Sequence, residues 1–136
     1  MQLNPNCVRD ILIYLEHNLS IGINEFKPIT KNVIAAELIG KYAREDIEYS
    51  LIQMHESNYI ITDFNADISH NAFTLSVVLY ITPKGHNVLS AISQEEKWSG
   101  KILPALKSLG SVSLSVVEAV AEGVTAATIS QLLARQ

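Results

Sequence analysis

The feature that most constrains this chain is a change in the spacing of its apolar residues. Over the nine residues 73–81, large apolar side chains occupy every second position. A two-residue period is typical of a β-strand with one buried face. Before this stretch, apolar residues recur at intervals of three and four, which predicts amphipathic helices. Together the two periods predict an α+β fold.

Caps and turn residues set the predicted bounds of the elements before the strand. Asn4-Pro5 places an N-cap before a proline at the first helical position. Thr30 can cap a second helix, and Gly40 can end it. Residues 20–28 are predicted as a loop with a short strand near residues 26–29. Three helices are predicted from these signals and the apolar spacing: residues 5–19, 31–39 and about 44–57.

The elements after the third helix include the strand pair. Residues 59–62 and 73–81 are predicted to form a β-hairpin joined by the polar residues 63–72. Thr82-Pro83 repeats the cap-and-proline pattern and opens a fourth helix. Residues 93–96 have the pattern of a capping box and predict a fifth helix, which Pro104 should kink. A last helix is predicted over residues 113–134.

The order of these elements suggests a particular architecture. Three helices followed by a β-hairpin form the layout of a winged helix, with the hairpin as the wing and the third helix in the recognition-helix position. We therefore expect a winged-helix domain over residues 1–93. Residues 94–136 are expected to form a C-terminal helical extension that packs on it as part of one compact unit.

Several segments resemble a known family. They are Leu3-Asn4-Pro5-Asn6-Cys7-Val8-Arg9-Asp10-Ile11-Leu12, Tyr42 with Glu45-Asp46-Ile47-Glu48-Tyr49, Ile81-Thr82 with Gly85-His86, Trp98, and Gly110-Ser111. Together they resemble domain of unknown function family 2513, found largely in phages and prophages. The resemblance implies such a source and a winged-helix fold, but no established activity or catalytic residue. Ala43 departs from the Ser-like cap expected before the third helix.

Size and composition exclude several classes of protein. A chain of 136 residues has the size of one domain. With 48% hydrophobic and 18% charged residues, it is too apolar to be disordered. Glu118 and Glu122 interrupt its most apolar stretch, so we expect no membrane span. No signal peptide is visible, and a cytoplasmic protein is expected.

Residues that could carry chemistry do not form a recognisable motif. The four histidines, His17, His55, His70 and His86, lack metal-ligand spacing. Residues 63–67 open like a calcium loop, but Ile68 and Thr74 stand where glycine and glutamate are required. Cys7 is expected to be buried and inert. We therefore expect a protein without catalytic residues, cofactor or metal.

The charge around the third helix favours a protein partner. Residues 30–70 contain three cations and seven carboxylates, which accounts for the whole formal net charge of −4. Carboxylates near DNA phosphates are repelled. The predicted partner-binding residues are Arg44, Glu45, Asp46 and Glu48. The alternative is a DNA-binding transcriptional regulator whose contacts come from lysines on the fourth and fifth helices: Lys84, Lys97, Lys101 and Lys107.

The last predicted helix is apolar over more of its surface than one core can cover. Its small residues recur every four positions, which permits close approach of another helix. This pattern predicts a homodimer whose interface contains Val116, Ala119, Val120, Gly123, Val124 and Ala127. Because the polar stripe of the helix is acidic, a membrane-surface helix is disfavoured.

Overall fold

The computed structural model describes residues 1–110, 112–123 and 126–134. Its helices are α1 (Pro5–Asn18), α2 (Lys31–Leu38), α3 (Arg44–Glu56), α4 (Pro83–Ile92), α5 (Glu95–Lys97), α6 (Leu103–Leu109), α7 (Leu114–Ala121) and α8 (Ala126–Ala134). Its strands are β1 (Ser20–Gly22), β2 (Glu25–Lys27), β3 (Ile29–Thr30), β4 (Ile60–Thr62), β5 (Asn65–Asp67), β6 (Ala72–Thr74) and β7 (Val77–Ile81). The predicted α+β class is confirmed.

The main sheet has three antiparallel strands in the order β3-β7-β4. Ile29 lies opposite Val78, and Ile60 lies opposite Ile81. The other strands form two separate antiparallel hairpins, β1–β2 and β5–β6. The predicted pairing of residues 59–62 with the long alternating segment is therefore confirmed for β4 and β7.

One buried cluster connects the helices to the main sheet. The cluster includes the inner side chains of α1 and α3, the sheet residues Ile60 and Val78, and the later residues Trp98, Ile102 and Val117. Tyr59 is fully buried and donates a hydrogen bond of 2.5 Å to Glu118 Oε1. Burial and this bond raise the pKa of Tyr59, and the bond ties α7 to the start of β4.

The predicted strand over residues 73–81 is wrong as one element. The structure divides it into β6 and β7, separated by Leu75 and Ser76. The Asp63 carboxylate accepts hydrogen bonds from the backbone N–H groups of Ser76 and Val77, at 2.8 and 3.1 Å. Because these two N–H groups bond to Asp63, they cannot pair with a neighbouring strand, and one continuous strand is not formed. β6 pairs instead with β5, inside the segment predicted as a polar link.

Two further local predictions are corrected. Residues 20–28 hold the β1–β2 hairpin instead of a loop with a single strand. The predicted capping box is not formed, because Ser93 is the C-cap of α4 and α5 starts after Gln94. At Pro104 the chain accommodates the proline through a π-helical turn, Trp98–Ile102, in which Leu103 N–H donates to Trp98 O.

The single helix predicted over residues 113–134 is also wrong. It is interrupted after α7, and Gly123 follows with φ +100°. A glycine with positive φ is the usual residue just beyond a helix end. The regular four-residue spacing of Ala119, Gly123 and Ala127 therefore does not lie on one helical face.

Candidate functional site

The outward face of α3 is the candidate site, because its other face is committed to the core. Ile47, Leu51 and Met54 are fully buried. Ala43 is the N-cap and provides no side-chain hydrogen bond. Glu45 and Asp46 occupy the first turn instead, where carboxylates favour the positive end of the helix dipole.

A charge cluster joins the N-terminal halves of α2 and α3. Glu48 Oε1 lies 3.3 Å from Lys31 Nζ and 3.2 Å from Arg44 Nε. Arg44 Nη2 also donates to Asn32 Oδ1 at 2.9 Å. The contribution of Lys31 and Asn32 could not be predicted from the sequence, because helical spacing indicates only the Arg44–Glu48 pair.

The third cation of residues 30–70, Lys41, lies 3.7 Å from Asp10 Oδ2 on α1. Each of the three cations therefore has a carboxylate partner. Within the described part of the chain, Glu37, Glu45 and Glu56 are exposed and have no ion pair. The exposed side of α3 thus keeps an excess of negative charge at Glu45 and Glu56. We call the surface formed by Lys31, Arg44, Glu45, Glu48 and Glu56 the α3 face.

Asp46 is separated from the other predicted partner-binding residues. It is half-buried and lines a groove of about 550 Å³ with Leu3, Asn4, Leu106 and Lys107. This groove lies between the start of α1, the start of α3 and α6. The structure therefore brings Arg44 and Glu48 into one cluster and leaves Asp46 beside the groove.

An aromatic series connects α3 to the β5–β6 hairpin. The rings of His55 and Phe64 are 5.4 Å apart, and those of Phe64 and Phe73 are 6.2 Å apart. His55 Nδ1 is also within 2.9 Å of Thr62 Oγ1. Phe73 and Ile68 are exposed. An apolar surface therefore adjoins the α3 face. The sequence does not predict this surface, because it depends on contacts between the β5–β6 hairpin and α3.

Hydrogen bonding and burial account for two of the remaining candidate groups. Asp67 accepts hydrogen bonds from Ser69 and His70, which lower its pKa. Burial raises the pKa of the Cys7 thiol to about 11, so this thiol is protonated at neutral pH. Among the described residues, no group of three or more His, Cys, Asp and Glu side chains is placed to hold a metal ion.

The residues that carry the family resemblance hold the helices together. Arg9 donates hydrogen bonds to Ile92 O and Ser93 O, at 2.8 and 2.9 Å. Tyr42 OH donates to Asp10 Oδ2 at 2.6 Å. Trp98 Nε1 donates to Asn6 Oδ1 at 2.9 Å. The Arg9 guanidinium lies 5.6 Å from the centre of the Trp98 ring. These contacts link α1 to the connection between α2 and α3, to the end of α4 and to the π-helical turn that begins at Trp98.

Comparison with known proteins identifies a family. A family model described as hypothetical protein (DUF2513) matches residues 2–113. The chain belongs to this family. The DUF2513 match ends before α7, so α7 and α8 lie beyond it. No curated protein matches the chain, and no solved structure does.

The structure places the predicted dimer residues on different elements. Val120 is buried, and Val116 and Ala119 are partly buried against the protein's own core. Gly123 lies beyond the end of α7, Val124 lies outside the described residues, and Ala127 belongs to α8. None of the helices among the described residues is long and apolar enough to cross a membrane.

Proposed function

We propose that this DUF2513 protein is a non-enzymatic winged-helix accessory protein of phage or prophage type that acts in the cytoplasm by binding a protein partner. The α3 face is the proposed binding surface. The observation that carries the proposal is the charge of this face, where Lys31 and Arg44 are both paired with Glu48 while Glu45 and Glu56 remain exposed.

The order of the elements supports the winged-helix part of the proposal. Helices α1, α2 and α3 precede β4 and β7, and β3 lies between α1 and α2. Both β3 and β4 pair antiparallel with β7. This order supports a winged helix, in which we propose that α3 takes the recognition-helix position and the β5–β6 hairpin the position of the wing.

Electrostatics support a protein partner over DNA. A DNA-binding surface gains its affinity from Lys and Arg side chains that neutralise phosphates. On the α3 face, Lys31 and Arg44 are both bound to Glu48. The neighbouring aromatic residues offer apolar contact area, which protein interfaces use at their centre. A partner with a basic rim and an apolar centre fits this surface.

Charge reversal on the α3 face tests this function. With Glu45→Lys and Glu56→Lys combined, we expect about tenfold weaker retention of a protein captured from the native host, because its basic rim would be repelled. Capture with quantitative mass spectrometry measures the change. The matched control is Glu16→Lys with Glu96→Lys, two exposed positions with the same change in charge. Equal retention by both double variants would contradict binding through the α3 face.

DNA binding is the second candidate function, and one observation favours it. Lys97, Lys101 and Lys107 on the segment from α5 to α6 are exposed and have no ion pair within the described residues. These basic side chains are available to phosphates, and Lys107 lines the groove beside Asp46 at the start of α3.

We nevertheless expect only weak, non-specific DNA binding at about 150 mM salt. A fluorescence anisotropy titration with DNA from upstream of the protein's own gene measures this. Sequence-dependent binding with a submicromolar dissociation constant would instead favour the regulator.

We also propose that the protein forms a homodimer. The sequence predicts this dimer from a long apolar last helix. That helix is interrupted at Gly123, and most of the apolar residues of α7 pack in the protein's own core. A homodimer interface must therefore lie on another exposed surface.

A further inference from the structure

The β1–β2 hairpin exposes large apolar side chains to solvent. Ile21 and Phe26 lie opposite each other, so they share one face of the hairpin. Their exposed fractions are 63% and 55%, and Ile23 in the turn is fully exposed. A hairpin that formed only a connection between α1 and β3 would more commonly carry polar residues at such positions.

The outer edge of β2 is free to pair with another strand. Gly22 and Glu25 close the two-residue turn, and such a closing pair exchanges both of its backbone hydrogen bonds. Alternation along the strand then directs the N–H and C=O groups of Phe26 away from β1. In the described part of the chain, no backbone hydrogen bond uses this edge. An unpaired edge of this kind is a template for strand addition.

The sequence of β2 is complementary to itself. It reads Glu25-Phe26-Lys27, with the two charged side chains on the face opposite to Phe26. Lys27 Nζ lies 3.1 Å from Glu25 Oε1 in the same strand, but both side chains are more than half exposed, and exposed pairs of this kind are weak enough to exchange partners. In an antiparallel pair of two β2 strands related by a two-fold axis at Phe26, Glu25 lies opposite Lys27 of the second copy. Lys27 likewise lies opposite Glu25 of that copy. Opposite charges facing each other across strands are stabilising, and like charges are destabilising.

We infer that β2 pairs with β2 of a second copy of this chain across a two-fold axis at Phe26. The inference rests on the proposed homodimer and names its interface. The product is a four-stranded antiparallel sheet in which each Phe26 donates to and accepts from the other. Ile21 and Phe26 of both copies form one row of four apolar side chains on a single face of this sheet.

Two other exposed apolar surfaces among the described residues, the β5–β6 hairpin and α8, lack this complementarity. The β5 and β6 strands read Asn65–Asp67 and Ala72–Thr74, and neither carries opposite charges at its two ends. Leu132 and Leu133 of α8 are exposed, but they adjoin no charge pattern that would select a copy of the same helix. Self-complementarity therefore distinguishes the outer edge of β2.

Sedimentation equilibrium on charge-exchanged variants tests the inference. Glu25→Lys makes two lysines face each other in the dimer, and Lys27→Glu makes two glutamates do so. Each variant alone is expected to dimerise about 10- to 30-fold more weakly than the wild type. An equimolar mixture of the two variants restores opposite charges in a heterodimer and should recover association. Glu96→Lys and Lys101→Glu make the same charge changes at exposed sites elsewhere and should leave it unaltered.

The outcomes separate the interface from the homodimer itself. A wild-type protein that stays monomeric up to about 500 µM would overturn both. A wild-type dimer that Glu25→Lys and Lys27→Glu leave unaltered would overturn the β2 interface alone. Circular dichroism of both variants checks that they fold, and recovery in their mixture requires folded chains.

Discussion

Replacing Arg9 with methionine is expected to lower the free energy of unfolding by about 3 to 5 kcal/mol. The Arg9 residue is only 9% exposed, and its guanidinium donates to Ile92 O and Ser93 O, the carbonyls at the end of α4. Methionine preserves much of the apolar stem but leaves these two carbonyls without their donor. Urea denaturation measures the loss.

The ion pair of Arg9 with Glu95, at 3.0 Å, contributes less to this loss. The Glu95 side chain is 71% exposed, and solvent-exposed pairs contribute little. Arg44→Met is the matched control, because Arg44 is half-exposed and bonds to surface side chains. We expect that control to cost under about 1 kcal/mol. Equal losses in the two variants would contradict the role of Arg9 as the link between α1 and α4.

Replacing Gly85 with alanine is expected to destabilise the protein by about 3 kcal/mol. A Cβ atom at this position would overlap the backbone oxygen of Tyr59 and lie 2.7 Å from Ile81 Cγ2. The Tyr59 oxygen is also held by a hydrogen bond from Thr82 N–H at 2.9 Å. Because backbone cannot yield as a flexible side chain does, α4 must move away from β4. Thermal unfolding measures the effect.

Gly100→Ala is the matched control for this substitution. Gly100 lies in the π-helical turn, and a Cβ atom there would meet nothing within 4 Å. Alanine is favoured over glycine in helical backbone by about 0.5 to 1 kcal/mol. We therefore expect Gly100→Ala to be neutral or stabilising. A loss comparable to that of Gly85→Ala would show that the close approach to Tyr59 is not the cause.

Elements whose signals are local were predicted well. The Asn4 side chain accepts a hydrogen bond from Cys7 N–H, and Thr82 accepts one from Gly85 N–H. Each cap acts on a residue three positions away, so the sequence contains both partners within one helical turn. The starts of α1, α2 and α4 agree with prediction for this reason, and the ends of α1 and α2 agree within one residue. The bounds of α3 also agree within one residue, although its N-cap Ala43 makes no side-chain bond.

Elements that depend on distant residues were not predictable. The strand over residues 73–81 is divided by Asp63, which binds the backbone of Ser76. The capping box fails because Ser93 stays at the end of α4, where its carbonyl accepts from Arg9. A local pattern of alternation or capping is the same whether or not a distant side chain binds the backbone within it. The local sequence therefore cannot predict such an interruption.

For the candidate site, the sequence by itself determined the excess of carboxylates in residues 30–70, because net charge does not depend on folding. Only the tertiary structure decided which of them are neutralised. The packing of α2 against α3 brings Lys31 to Glu48, and Lys41 reaches α1 to pair with Asp10. The exposed excess at Glu45 and Glu56 is what remains, since the range of an ion pair is a few ångströms in space.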